Sequence, residues 1–296
     1  MDNTDYNPFY QEENTLEEYA NDDPRLEEYA IELEPYAAGY KDRNALYQVF
    51  IHDKKLVGLV VKSEEPINLI APIGTPMSIV HVINYSMPSE IQKEFVDAAL
   101  RIAKDYHAAY SFVDIPAEHN ELVNYFIGIG YSELAHSLRM RLDLNSYEAK
   151  KSTLRVVKVE REEVDDFIET LLEFMSESKD NMIDIIFSNL RGLPEQFIDL
   201  WYNSTSLNYV YDKDDLVGVL DLNPQGLNIS NIGISPKHRG KGYGKRLMHY
   251  ALTTLKERGD EQAKLRVHAE NKRAIALYES VGMTRGRSFK ALIWRE

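Results

Sequence analysis

The sequence predicts two tandem copies of one layered α/β domain, and an internal repeat is the main reason. The pairs Ala99-Leu100 and Ala251-Leu252, Val113 and Leu265, and Gly130 and Gly282 share a spacing of 152 residues. Asp53-Lys-Lys-Leu-Val-Gly-Leu-Val60 also matches Asp212-Lys-Asp-Asp-Leu-Val-Gly-Val219, and in each a polar turn leads into a β-rich apolar strand, the pattern of a hairpin. Strand-like and helix-like stretches alternate between these anchors, which indicates sheet and helix layers sharing a core.

Residues 16–20 and 26–30 both read Leu-Glu-Glu-Tyr-Ala. Pro24 lies between them, which predicts two short helices, since proline ends a helix and restricts the residue before it. The Asp53 hairpin repeats at a spacing of 160, so about eight extra residues are expected between Ser63 and Thr75. Phe112-Val-Asp-Ile115 matches Lys264-Leu-Arg-Val267 as a strand, and Asn120 to Tyr131 matches Lys272 to Met283 as helix and turn. The boundary is placed at Lys150-Lys151-Ser152, giving domains 1–150 and 151–296. The second copy reads as strand 154–159, helix 163–176, helix 181–190 continuing through 195–202, then strands 207–212, 216–222 and 227–234. Helix 243–258, strand 264–268, helix 271–280 and a strand pair after Gly282 complete it.

Composition removes several function classes. No apolar run approaches the roughly 18 residues of a bilayer span, and the acidic N-terminus lacks the layout of a signal peptide, so a cytoplasmic protein without membrane contact is expected. Without cysteine there is no disulfide, thiolate site or cysteine nucleophile, and the eight histidines lack ligand spacing, so no metal is expected. Residues 1–40 hold twelve acids against Arg25 alone, most of the net charge of −14. That surface repels a phosphate backbone and attracts cations, so nucleic acid is not an expected partner.

Against this background the segment Asn231-Ile-Gly-Ile-Ser-Pro-Lys-His-Arg-Gly-Lys-Gly-Tyr-Gly-Lys-Arg246 stands out. A strand runs into a turn with glycines at 240, 242 and 244, which opens into an amphipathic helix carrying Leu247, Tyr250, Ala251 and Leu255. Glycines allow a tight turn with uncovered N–H groups, and the helix N-terminus adds partial positive charge, together a cradle for pyrophosphate. Lys237, His238, Arg239, Lys241, Lys245 and Arg246 concentrate cations there. A P-loop would need Ser or Thr after Lys245, where Arg246 stands, and a dinucleotide fold would need other glycine spacing and an acid on a strand end.

The spacing Arg239-x-x-Gly242-x-Gly244 after Ile232-Gly-Ile-Ser-Pro236 resembles the GNAT superfamily of N-acetyltransferases. Val267-His-Ala-Glu-Asn271 followed by Ala274-Ile-Ala-Leu-Tyr-Glu-Ser-Val-Gly-Met283 resembles that family's later strand, helix and terminal turn. The likeness covers residues 153–296 and, in degenerate form, about 45–145. It implies tandem GNAT-like domains, each a mixed, mostly antiparallel sheet flanked by helices, and acetyl-CoA as co-substrate with no metal. It also implies that the backbone of Ile232, Gly233 and Ile234 pairs with the pantetheine arm, and that amides of Arg239, Gly240, Lys241, Gly242, Tyr243, Gly244 and Lys245 hold the pyrophosphate. Asn271 would contact pantetheine or the loop besides capping its helix, and Tyr278 would hydrogen-bond the departing sulfur. An N–H near Ile234 would polarise the thioester carbonyl.

The strand before the turn, Leu227-Asn-Ile-Ser-Asn231, holds no acid to deprotonate an amine, so Asp221 is taken as the candidate base, with Ser230 or Asn231 anchoring water. His238 and His268 are read as bystanders. The expected activity is acetyl transfer to a small-molecule or peptide amine by a monomer or homodimer. The alternatives are a non-catalytic acyl-CoA-binding or interaction module and a nucleotide-phosphate binder. In the N-terminal copy the matching positions are Met87, Glu90, Gln92, His119 and Phe126, so the phosphate turn, the asparagine and the hydroxyl are all lost. That copy is expected to be a scaffold that stands in for the second subunit of a dimer and helps shape the cleft.

Overall fold

The computed structural model describes residues 16–37, 45–66, 70–176, 185, 189, 195–224 and 226–296. The first copy runs β1 (Glu17–Ala20), a 3₁₀ turn (Pro24–Tyr29), α1 (Ala30–Ala37), β2 (Leu46–His52), β3 (Lys55–Glu64), β4 (Pro76–Val82), α2 (Ser89–Asp105), β5 (Tyr110–Pro116), α3 (Asn120–Gly128) and β6 (Ser132–Asp143). The second runs β7 (Arg155–Lys158), α4 (Val164–Met175), α5 (Glu195–Ser204), β8 (Ser206–Asp212), β9 (Asp215–Leu222), β10 (Ile229–Ile234), α6 (Tyr243–Arg258), β11 (Gln262–His268), α7 (Lys272–Glu279) and β12 (Thr284–Arg295). The repeat is therefore present element by element, in tandem α/β layers. Most of the stretch 181–194 read as helix lies outside the described residues.

The hairpins form for local reasons. Asp53 and Lys54 both take positive φ, 48° and 56°, the two-residue turn whose twist suits antiparallel strands. The glycine after the shared Leu-Val answers a steric demand in both copies. A Cβ on Gly58 would lie 2.6 Å from the His81 carbonyl oxygen, and one on Gly218 would lie 2.8 Å from that of Gly233.

Two expectations are corrected. Residues 17–20 form a strand, not a helix: β1 pairs antiparallel with β2 and buries Tyr19 beside Leu26, Tyr29 and Leu33. Five helix-favouring residues cannot meet the cost of nucleation, whereas the edge of β2 offers ready backbone partners. Nor does a strand pair follow Gly282. Thr284–Arg295 is one strand of 12 residues. Gly286 lies at a register shift between Arg285 and Ser288, where a Cβ would lie 3.2 Å from the Arg139 carbonyl oxygen.

The copies exchange their last strands. One eight-stranded sheet has the order β1-β2-β3-β4-β5-β12-β6-β11, and a second sheet of four strands has the order β10-β9-β8-β7. Strand β12 of the second copy thus lies between β5 and β6 of the first, while β6 lies between β12 and β11. The pairs Phe289↔Pro116 and His268↔Ser137 are one pair seen from either copy, since each residue moves by the repeat offset. The two long strands cross an internal twofold near Ser137 and Phe289. Beside it His136 Nε2 and Ser288 Oγ, equivalent positions separated by 152 residues, are 2.7 Å apart.

Exchange joins the cores. Leu138 and Met140 of β6 pack with Leu247, Ala251, Leu255, Leu265 and Tyr278 of the second copy, and Leu292 of β12 packs with Phe95, Val113 and Phe126 of the first.

The copies differ where a ligand would enter. In the first, β4 and β5 pair in parallel from Met77↔Tyr110 to Val80↔Val113. In the second, β10 and β11 belong to different sheets and splay apart. At the narrow end the buried Asn228 side chain takes the place of backbone pairing: its Nδ2 donates to the Gln262 carbonyl at 2.7 Å, and its Oδ1 accepts from the Lys264 amide at 2.7 Å. Asn228→Ala should lower stability by about 1–3 kcal/mol, because it strips partners from buried backbone groups. A lower urea midpoint at unchanged m-value checks this.

Candidate active site

The gap between β10 and β11 opens into a cleft of about 340 Å³. One wall is Ile232, Gly233 and Ile234 of β10, and the other is Arg266, Val267 and His268 of β11. Phe174 and Met175 at the end of α4 lie at one side, with Asn271, Ala274, Leu277 and Tyr278 around α7 at the other. Gly233 lets α4 approach, since a Cβ there would lie 3.0 Å from that of Phe174.

Backbone polarity at this edge follows from alternation along the strand. The Ser235 amide donates to Val217 on β9 at 3.0 Å, so the amides of Ile232 and Ile234, one residue out of phase, turn toward the gap. The Ile234 carbonyl accepts from Arg239 Nε at 3.2 Å, and Arg239 Nη2 donates to the Phe174 carbonyl at 2.9 Å. The Arg239 guanidinium therefore ties the turn to the end of α4, and the Ile234 N–H remains directed at the gap.

The turn has the conformation its glycines allow. Gly240 and Gly242 take φ of 76° and 85°, and Gly242 caps α6 without a side-chain hydrogen bond. The first-turn amides of Tyr243, Gly244 and Lys245 consequently have no intrahelical acceptor. Gly244 packs on α7, where a Cβ would meet Leu277 Cδ2 at 3.0 Å. Lys237, Lys241 and Lys245 are exposed around these amides, and Gly240, Gly242, Gly244 and Lys245 line the cleft. Arg246 instead pairs with Asp212 at 3.4 Å, and the Tyr243 hydroxyl donates to the same carboxylate at 2.8 Å. These two bonds, the tyrosine's first, hold the Asp212 carboxyl below the usual carboxylate range.

Asn271 caps α7, its Oδ1 accepting from the Ala274 amide at 3.1 Å, and it also lines the cleft. Tyr278 lies at the cleft wall with 7 % of its surface exposed, and burial pushes its hydroxyl up to about 12, so it holds its proton at neutral pH. Asp221 is placed otherwise. It sits on β9 opposite Asn231, outside the lining, with Oδ1 accepting from Thr205 and Oδ2 from Asn231 Nδ2 at 3.0 Å. Burial holds its carboxyl above the ordinary range. The Ser230 hydroxyl donates to the Leu227 carbonyl at 3.3 Å.

A family model described as the acetyltransferase (GNAT) family matches residues 171–283, the stretch that holds the turn, both gap strands and Tyr278. Residues 171–283 are the part of the chain that the GNAT family covers. The chain is similar to mycothiol acetyltransferase of Corynebacterium glutamicum strain R, 31% identical over 87 residues covering 28% of this chain and 30% of that protein. It is also similar to the [ribosomal protein bS18]-alanine N-acetyltransferase of Escherichia coli K12, 40% identical over 52 residues covering 18% and 35%. These alignments span about a third of the relatives' lengths. Among solved structures, a tandem GNAT protein from the clavulanic acid biosynthesis pathway superposes with a TM-score of 0.57 at 13% identity, covering 95% of this chain and 98% of that one. A GCN5-related N-acetyltransferase from Sphaerobacter thermophilus gives 0.58 at 14% identity, covering 88% and 85%. Both likenesses concern the fold.

The first copy keeps a depression of about 370 Å³ beside α2 and α3, with altered chemistry. The Gln92 side chain, in the place of Gly244, donates to the carbonyls of Tyr85 at 3.0 Å and Met87 at 2.9 Å and so occupies the turn. Phe126, in the place of Tyr278, is fully buried.

Sequence reading missed Phe174, Arg266, Arg273 and Leu277 of the cleft, and treated His268 as a bystander. The His268 Nδ1 accepts from the Glu270 amide at 3.3 Å, which places the proton of the neutral ring on Nε2 and makes it a donor. Only chain reversal and strand pairing bring these residues together. Among the described residues no group of three or more metal-capable side chains occurs, and no helix is long and apolar enough to cross a membrane.

Proposed function

We propose that the C-terminal copy transfers an acetyl group from acetyl-CoA to a primary amine of a small molecule or peptide. The observation carrying this reading is the uncapped first turn of α6, entered through two left-handed glycines, at the mouth of an unpaired gap between parallel-running strands. That arrangement fits a diphosphate joined to an extended amide-bearing arm: the turn amides take the phosphates and the edge of β10 takes the arm as an added strand would.

When bound, the co-substrate supplies an activated thioester carbonyl. The Ile234 N–H is aimed where negative charge would develop on that oxygen. The Tyr278 hydroxyl, protonated at neutral pH, is the donor to the leaving sulfur. We do not assign the amine's proton to Asp221, since both of its oxygens already accept hydrogen bonds and it does not line the cleft. No carboxylate lines the cleft among the described residues, so the amine enters in its minor neutral form, about one molecule in 2,500 at pH 7 for a lysine-like amine.

Acetyl-CoA consumption, corrected for hydrolysis, should depend on added amine, and its kcat/KM should rise about tenfold per pH unit below the acceptor's pKa. Thermal stabilisation by acetyl-CoA without amine-dependent release of coenzyme A would instead establish a non-catalytic acyl-CoA-binding module, the reading that the missing carboxylate favours.

A further inference from the structure

The exchanged strand β6 also brings chemistry to the cleft. Side chains alternate across a sheet. Val267, Leu265 and Ala263 of β11 face the helices of the second copy together with Leu138 and Met140 of β6. Arg266 and His268 of β11 therefore project from the other face, as do Ser137 and Arg139 of β6. Both β11 residues line the cleft, so it passes from the phosphate turn on one face to Arg266 and His268 on the other.

On that second face Arg266 and Arg139 are direct cross-strand partners. Like charges directly opposite, with Cβ atoms about 5 Å apart, destabilise a sheet unless an anion lies between them. Among the described residues neither guanidinium is in ion-pair contact with a carboxylate. The Arg139 Cζ lies over the Phe289 ring on β12, 4.0 Å from its centre. Asp114 of β5 is the described acid on this face that feels both cations, and β12 and β6 separate it from Arg266. Ile185 of the second copy packs on the apolar patch of Met77, Tyr110, Ala135, Ala291 and Ile293 beside them. In a chain of net charge −14, Arg266 at the cleft wall and Arg139 opposite it in register on β6 form a cationic pair suited to an anion. Two planar guanidinium forks match a carboxylate in particular.

We propose that Arg266 and Arg139 bind a carboxylate of the acceptor, so that the acetylated amine belongs to an amino acid or a similar aminocarboxylate. This rests on the acetyl-transfer reading and names its substrate class. It also assigns the first copy a task, since the strand it lends supplies half of the anion site.

The test is competition between an equimolar mixture of the common amino acids and a mixture of their decarboxylated amines, with products identified by mass spectrometry. Matched pairs, alanine with ethylamine and lysine with 1,5-diaminopentane, are also followed by kinetics and by thermal shift in the presence of coenzyme A. The expected result is at least a tenfold preference in kcat/KM for the carboxylated members, falling to within about twofold in Arg139→Gln and in Arg266→Gln through a rise in KM. Arg139→Gln should keep the thermal shift with acetyl-CoA. Equal use of both mixtures, no greater shift with alanine or lysine than with their partners, or a preference that survives both substitutions overturns the proposal. So does loss of the acetyl-CoA shift in Arg139→Gln, which would give the arginines to a phosphate of the donor. A wild-type protein that acetyl-CoA fails to stabilise would sink the acetyl-transfer reading itself, whatever the amino acids do.

Discussion

Gly242→Glu and Gly244→Glu should each abolish the stabilisation that acetyl-CoA gives the wild-type chain. At a ligand concentration one hundred times Kd that stabilisation is about 2.7 kcal/mol, or roughly 5–10 °C in Tm for a chain of this class. The substitutions act by different routes. Gly242 has φ of 85° with nothing within 4 Å of a notional Cβ, so the side chain has room but the backbone is strained. Strain of about 1–2 kcal/mol would distort the turn, and the new carboxylate would face the phosphates. At Gly244 the Cβ would press on Leu277 at 3.0 Å, spreading α6 from α7 at the point where the first-turn amides must converge. Gly74→Glu provides the control. Its φ is 79° with equally open surroundings, but it lies in the first copy, so it should lower Tm by the same strain and leave the acetyl-CoA shift intact. Retention of the shift in both cleft variants would show that the phosphates are held elsewhere.

Tyr278→Phe should lower kcat by about a hundredfold or more while changing the acetyl-CoA shift little, the expectation for a group that protonates or hydrogen-bonds the leaving atom only as the bond breaks. The fold should tolerate the change. Its counterpart Phe126 fills the equivalent place in the first copy, fully buried and edge-on to Tyr131 at 4.9 Å. Because burial raises the Tyr278 hydroxyl to about 12, wild-type activity should show no loss attributable to its ionisation below about pH 10. Single-turnover kinetics at saturating acetyl-CoA separate this effect from binding. A variant with unchanged chemistry would reduce Tyr278 to a wall of the cleft.

What was readable in the sequence divides by range. Turns with left-handed residues are local, so Asp53-Lys54 and Gly240 to Gly244 were found from residue type alone. The repeat placed most of the second copy's elements to within a few residues, because two instances of one pattern constrain each other more than either does alone. Leu16–Ala20 was misread because its local preference for helix lost to pairing with β2, a partner thirty residues away. Asp221 was chosen for being the nearest ionisable group along the chain. Register places it opposite Asn231 instead, beside Thr205, with its oxygens occupied.

The sequence by itself determined the paired architecture, the glycine turn that opens α6 and the loss of that turn in the first copy. Each of these depends on backbone conformations and charges specified within a dozen residues. The tertiary structure alone decided that β6 and β12 trade places, that Asn228 bridges strands that do not pair, and that Arg139 stands opposite Arg266. An antiparallel strand carries no mark of its partner, and register is chosen by the whole buried face at once, so residues more than a hundred positions apart meet only after the chain has closed.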